Sequence, residues 1–143
     1  TDSTGPKFQA LLDYGGGSFE VSSDNANTNE WYHICVTWDR SNNASIYVNG
    51  VLHNTTDISA QSSVNITHST VAKIGQHQGT VEFRGYICNA GYWDRVLTQA
   101  EIKSIMWKQY ADLTTSEKTS LVSFWNLDID ANDSHGSNNG TLS

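Results

Sequence analysis

The chain is poor in positive charge, sulfur and proline. Eight Lys and Arg stand against 15 Asp and Glu in 143 residues, a formal charge of −7. With no basic cluster to neutralise phosphates, no nucleic-acid partner and no anionic membrane surface is expected. No apolar run approaches the ~20 residues that a spanning helix needs, so membrane insertion is not expected either. Neither an initiator Met nor a secretory leader is present, and the chain reads as a processed product or an excised part. One proline and eleven glycines, set among many Asn, Ser and Thr, suit short strands joined by polar turns. A length of 143 residues implies a single domain, 1–143, large enough to bury a core.

Only two cysteines occur, Cys35 and Cys88, each in an expected strand. Two readings stand. They are buried thiols acting as small apolar residues, or they form one disulfide stapling two strands in an oxidising compartment. A zinc site is excluded, because neither has a second Cys or His at ligand spacing.

What the chain does have is a central stretch from Trp31 to Leu52. Tyr32, Ile34, Val36 and Trp38 alternate at period 2, as on a strand with a buried face. Asp39–Asn43 is a run of turn formers, and Ser45–Val48 is a second β-rich run. Asn49 and Gly50 tolerate the positive φ of a type I′ turn, after which Val51 and Leu52 start a third strand. Around this meander, Lys7–Tyr14 and Ser18–Ser22 flank a turn at Gly15–Gly17, and a polar loop covers Ser23–Glu30. Further strands are expected at Val64–His68, Val71–Gly75, Thr80–Phe83 and Tyr86–Trp93, and a last one carries Val122, Phe124 and Leu127. Thr98-Gln-Ala-Glu101 is a capping box, and Ile102, Ile105, Met106 and Gln109 follow at helical spacing. These predict one helix over about 98–109. A further helical turn is expected at Thr115–Lys118.

The words WYHICVTWD (Trp31–Asp39) and IYVNGVL (Ile46–Leu52) resemble the laminin-G-like, concanavalin-A-like jelly-roll family, to which pentraxins are related. AKIGQ (Ala72–Gln76), FRGYICNAGYWDRVL (Phe83–Leu97) and TQAEI (Thr98–Ile102) continue the resemblance. LVSFWNLDIDANDSHGSNNGTL (Leu121–Leu142) is similar to the segment that usually opens the family's domains, yet here it comes last. The resemblance implies an all-β fold, an antiparallel two-sheet jelly-roll sandwich with one short helix. The altered order fits a circular permutation, a piece of a tandem array, or a sandwich completed by a neighbouring chain. Open sheet edges in such a body favour assembly.

The superfamily includes glycoside hydrolases, which hold two carboxylates about 5–9 Å apart across the scissile bond. Here Glu20, Asp24 and Glu30 sit in or beside loops, and Glu82 is alone on its strand. Only Asp128 and Asp130 have i, i+2 spacing, at a strand end, so no catalytic residue is assigned. Asp128, Asp130 and Asp133 are the candidate Ca²⁺ ligands, being hard oxygens close together on a loop. They lack an EF-hand's Gly at position six and Glu at position twelve, and the competing reading is a solvated Asx-rich turn. Trp31, Trp38, Trp93 and Trp125 are expected in the core, as on the family's strands. Trp107 and Tyr110, on and beyond the helix, form the candidate contact patch for carbohydrate or a protein partner. Asn43, Asn54, Asn65, Asn132 and Asn139 open N-glycosylation triplets. With 13 Asn and 31 Ser plus Thr, chance alone gives about three such triplets.

The expectation that results is a non-catalytic extracellular or virion-surface module, structural or adhesive, working among other protein chains, with glycans as further candidate partners. A Ca²⁺-dependent, pentraxin-like lectin is the alternative, and a glucanase-like hydrolase ranks third.

Overall fold

A computed structural model describes residues 6–13, 17–66, 72–77 and 81–142. The chain forms two compact units, Thr1–Ile66 with Val96–Trp107 and Thr67–Arg95 with Lys108–Ser143.

In the first unit β1 (Lys7–Asp13) pairs antiparallel with β2 (Ser18–Asn25). Strands β3 (Ile34–Trp38), β4 (Asn43–Val48) and β5 (Val51–Asp57) form the expected antiparallel meander. Period 2 is clearest on β4, where Ala44, Ile46 and Val48 are buried and their neighbours only half-buried. Val21 of β2 joins Ala44, Ile46 and Ile58 in one cluster, with Phe8, Ala10, Phe19, Ile34, Val36 and Trp38 packed against it. The apolar faces of both sheets therefore meet, which is the physical content of a sandwich.

The β4–β5 turn is built as its residues require. Asn49 has φ 51° and Gly50 φ 73°, so both central positions are left-handed. Asn49 N–H also donates to His33 O at 2.8 Å, and its Oδ1 accepts from His33 N–H at 2.9 Å. Helix α1 (Gln99–Ile105) lies on this turn, with Gln99 Nε2 donating to Gly50 O at 2.9 Å. The capping box forms: Glu101 N–H donates to Thr98 Oγ1 at 3.3 Å, and Thr98 N–H to Glu101 Oε2 at 2.8 Å. Ile102 and Ile105 are buried.

The helix is seven residues long, not the dozen that the apolar spacing over 98–109 predicts. Gln109 is extended (φ −81°, ψ 167°), and its N–H bonds Asp112 Oδ2 at 3.4 Å to open a 3₁₀ turn at Tyr110–Asp112. The helix itself closes at Ile105 with Met106 as its C-cap, and the local cap at Gln109 occupies the residues that a longer helix would have used.

In the second unit β6 (Gln76–His77) pairs with β7 (Val81–Glu82), and β8 (Ala90–Trp93) with β9 (Leu121–Trp125). Several strands are shorter than expected. Asn89 is left-handed (φ 53°), so the ladder begins at Ala90 and not at Tyr86. Residues 72–75, within the strand expected at Val71–Gly75, form no strand and precede β6, and 64–66 form no strand either. Residues 14–16, 67, 68, 71 and 80, which share in expected strands and turns, lie outside the described residues. Strand β9 buries Leu121, Ser123 and Phe124 and exposes Val122, so the outward residue is one the alternation placed inside. The turn expected at Thr115–Lys118 is present, with Lys118 N–H bonding Thr114 O at 3.1 Å.

Candidate functional site

The loop 26–33 brings an indole, a carboxylate, an amide and a phenol to one place. Asn29 adopts φ 63°, a left-handed conformation that Asn tolerates better than most residues. It turns the chain immediately before Glu30. Asn27 N–H donates to Tyr32 Oη at 2.9 Å, and Tyr32 O–H donates to Glu30 Oε2 at 2.7 Å. Asn27 Nδ2 spans both Glu30 oxygens at 3.3 Å. The Tyr32 ring rests on Phe8, with centroids 5.3 Å apart. Between these two fixed residues stands Trp31, 60% exposed.

This overturns the core placement expected for Trp31. Strand β3 begins at Ile34, so the pleat that would have turned the indole inward has not yet started. Trp38, Trp93 and Trp125 are half-buried. The signal that could have found the site is the polar run Asn27-Thr-Asn-Glu30, which is poor strand sequence directly ahead of an aromatic pair. Nearby, His33 Nδ1 is buried without a hydrogen-bond partner, and burial lowers the pKa of the ring.

Trp107 is 64% exposed at the end of the first unit's helical segment. A Cβ at Gly50 would run into Lys103 and Met106, so Trp107 follows directly on the part of the helical segment that covers the β4–β5 turn. Val51 and Leu52, the next residues on β5, are also exposed.

Tyr110, in the second unit, is not the open contact residue expected from sequence. Its ring packs on Phe124 (6.0 Å) and His135 (5.7 Å), and Lys118 Nζ sits 4.1 Å from its centroid. Its hydroxyl lies 3.2 Å from His135 Nδ1. The ring is thus engaged in holding the unit together.

The three candidate Ca²⁺ ligands have separate employments. Asp133 is buried, and its Oδ1 accepts from the N–H groups of Phe124, His135 and Gly136, each at 3.0 Å. Its Oδ2 accepts from Asn138 N–H at 3.1 Å. Burial acts to raise the pKa of this carboxyl. The hydrogen bonds from Gly136, Phe124, His135 and Ser123 outweigh it and hold the group well below the usual carboxylate range. Asp130 closes a local turn, accepting from Asn132 N–H (2.9 Å) and Nδ2 (2.6 Å). Asp128 is exposed. Among the described residues no three His, Cys, Asp or Glu side chains form a group able to hold a metal ion. The Asx-rich turn is what this loop forms.

Cys35 and Cys88 are both free thiols. Burial pushes Cys35 up to about 11, whereas Cys88 is exposed. Of the glycosylation triplets, Asn54, Asn65, Asn132 and Asn139 are exposed and Asn43 is half-buried on β4. Among their side chains, Asn54 Nδ2 donates to Ser22 O at 3.2 Å, and Asn139 Oδ1 accepts from Asp133 N–H at 3.0 Å. No helix among the described residues is long and apolar enough to cross a membrane.

Botulinum neurotoxin type G of Clostridium botulinum is 30% identical over 97 residues, which are 68% of this chain and 7% of the toxin. The chain therefore spans only a small part of that relative's length. A crystal structure of an S-layer domain-containing protein from Clostridium thermocellum is 22% identical, with a TM-score of 0.48 over 70% of this chain and 51% of that one. The family model of the concanavalin A-like lectin/glucanases superfamily, in its laminin G form, matches residues 1–103. With antiparallel sheets, one short helix and that match over most of its length, the chain belongs to the laminin G-like branch of the concanavalin A-like lectin/glucanases superfamily.

Proposed function

We propose that this chain is a non-catalytic binding module of an extracellular or surface-exposed protein, and that it works by contact with other protein chains in a larger assembly. The observation that carries the reading is the exposure of Trp107 together with Val51 and Leu52. Exposed indoles are costly to hydrate, and large aromatic groups concentrate binding energy at protein interfaces. Helix α1, fixed on the β4–β5 turn, presents Trp107 from a rigid base, so little order has to be gained on binding. The likeness to a 7% portion of a neurotoxin supports reading the domain as one part of a longer chain.

Light scattering across the micromolar range tests the proposal. Association that Trp107→Ala weakens is the expected result. A monomer at all concentrations would remove the assembly reading. Release of reducing ends from β-glucans by the purified chain would remove the non-catalytic one.

A further inference from the structure

We infer that the outer edge of β3 is a docking site for an extended segment of another polypeptide, added to the β3–β4–β5 sheet as one more antiparallel strand. The segment it takes is apolar at every second residue and carries no acidic side chain. The inference rests on the reading of the chain as a module that works by contact with other protein chains, and it says what one such contact is made of. It uses a different surface from Trp107.

The register of β3 fixes which way its backbone groups point. Just beyond its two ends, Asn49 N–H donates to His33 O at 2.8 Å and Asp39 N–H donates to Asn43 O at 2.9 Å. Residues 33 and 39 therefore turn towards β4. Direction alternates along an antiparallel ladder, so Cys35 and Thr37, opposite Tyr47 and Ser45, turn the same way. The N–H and C=O groups of Ile34, Val36 and Trp38 point outward. Among the described residues β3 is the end of its sheet, and no further strand pairs with these groups. At the other end β5 is met by β2, where Asn54 Nδ2 donates to Ser22 O and Thr56 Oγ1 to Glu20 O. A row of alternating donors and acceptors at strand spacing is matched by another extended backbone.

The side chains are open on the same flank. Ala44 and Ile46, on the inward face of β4, are buried at 0% and 1% exposure. Ile34, Val36 and Trp38 pack against the cluster that holds those two, yet stay half-buried. Strand β4 has a neighbour on each flank, whereas β3 has one among the described residues. An added antiparallel strand would set an apolar side chain opposite each of the three. The devices that blunt a free edge are also missing, since Ile34–Trp38 contains no charged residue and no proline. Charge selects the segment. A chain carrying a net −7 repels acidic peptides and favours neutral or basic ones. The same charge makes a second copy of this chain the poorer occupant.

Amide hydrogen exchange of the full chain, read residue by residue by NMR, tests this. The probe is a short synthetic peptide of alternating valine and threonine with a lysine at each end. In the free chain the amides of Cys35 and Thr37 exchange slowly, and those of Ile34, Val36 and Trp38 exchange fast. Peptide at about ten times its Kd slows the latter three about tenfold. Methylating the valine amides of the peptide, which face β3 in the antiparallel register, removes that protection, and methylating the threonine amides preserves it. No protection at about 1 mM peptide would overturn the site, as would equal binding of the two methylated peptides. A Val36 amide already slow in the free chain would overturn it too. Slowing that grows with protein concentration alone would overturn the choice of a foreign strand and give the edge to a second copy. Association through Trp107 is read by light scattering without peptide, so either reading can fail while the other stands.

Discussion

At the residue scale the most consequential group is Asp133. One carboxylate satisfies four backbone N–H groups, among them that of Phe124 on β9. Ser134 N–H then bonds Phe124 O at 2.7 Å, so the loop seals the outer edge of β9. The folded pKa lies below the unfolded value of about 3.9, so the stabilisation is present above that pH and is lost as pH falls through the acid range. Thermal melts from pH 7 to pH 2 should show stability falling below about pH 4. Asp133→Asn should lose on the order of 2–4 kcal/mol at neutral pH and flatten that acid dependence. A parallel titration of wild type and variant would refute this role. The cysteines give a second test. Cys88 is exposed, and Cys35 is shielded with its thiol pushed up to about 11. Alkylation at pH 8 followed by peptide mass spectrometry should modify Cys88 rapidly and Cys35 only after denaturation; equal rates would contradict the burial. The Asp133 turn was legible in the sequence, since a dense Asx and Ser run after a strand has few other ways to satisfy itself. Trp31 was not. Alternation reports which side of a strand a residue occupies but not where the strand begins, and a single left-handed residue, Asn29, moved that start past the indole.

At the scale of elements, the pairing of α1 with the β4–β5 turn decides whether the first unit holds. Gly50 is needed twice there. Its φ of 73° is costly for any residue with a Cβ, and a Cβ would lie 2.6 Å from Lys103 Cγ and 3.3 Å from Met106 Sδ. Gly50→Ala should therefore destabilise by about 1–3 kcal/mol, through backbone strain and a displaced helix together. Denaturant melts check this, with Thr98→Ala as the companion, expected to cost about 1 kcal/mol through loss of the cap alone. A Gly50→Ala variant as stable as wild type would mean that α1 is not seated on the turn. The turn and the helix start could be read from sequence because each rests on local chemistry, Asn-Gly in one case and a Thr-x-x-Glu box in the other. The helix end and the start of β8 could not. The helix closes at Ile105 with Met106 as its C-cap, ahead of the 3₁₀ turn that Gln109 opens with Asp112, and Asn89 delays the strand by turning left-handed. Both are set by local backbone geometry, which apolar periodicity does not record.

At the scale of the whole molecule, the net charge of −7 bears on the proposed assembly. Copies of an acidic chain repel one another, so association must be driven by apolar burial strong enough to exceed that repulsion. The family match over 1–103 takes in β1 to β8 and most of α1, while the familiar words of Leu121–Leu142 fall beyond it. Fold class was therefore readable from the first two thirds, whereas the proposed assembly rests on the exposure of Trp107, Val51 and Leu52. Salt then separates two ways of associating. Raising ionic strength from 0.01 to 0.15 M shortens the Debye length from about 30 Å to about 8 Å. An interface centred on Trp107, Val51 and Leu52 should tighten over that range, because the repulsion is screened while the apolar contact is not. An interface built on ion pairs should loosen instead. Sedimentation equilibrium of the wild-type chain at both salt concentrations measures the sign directly. Tightening that disappears in Trp107→Ala would place the indole at the contact, and weakening with salt would remove it from there.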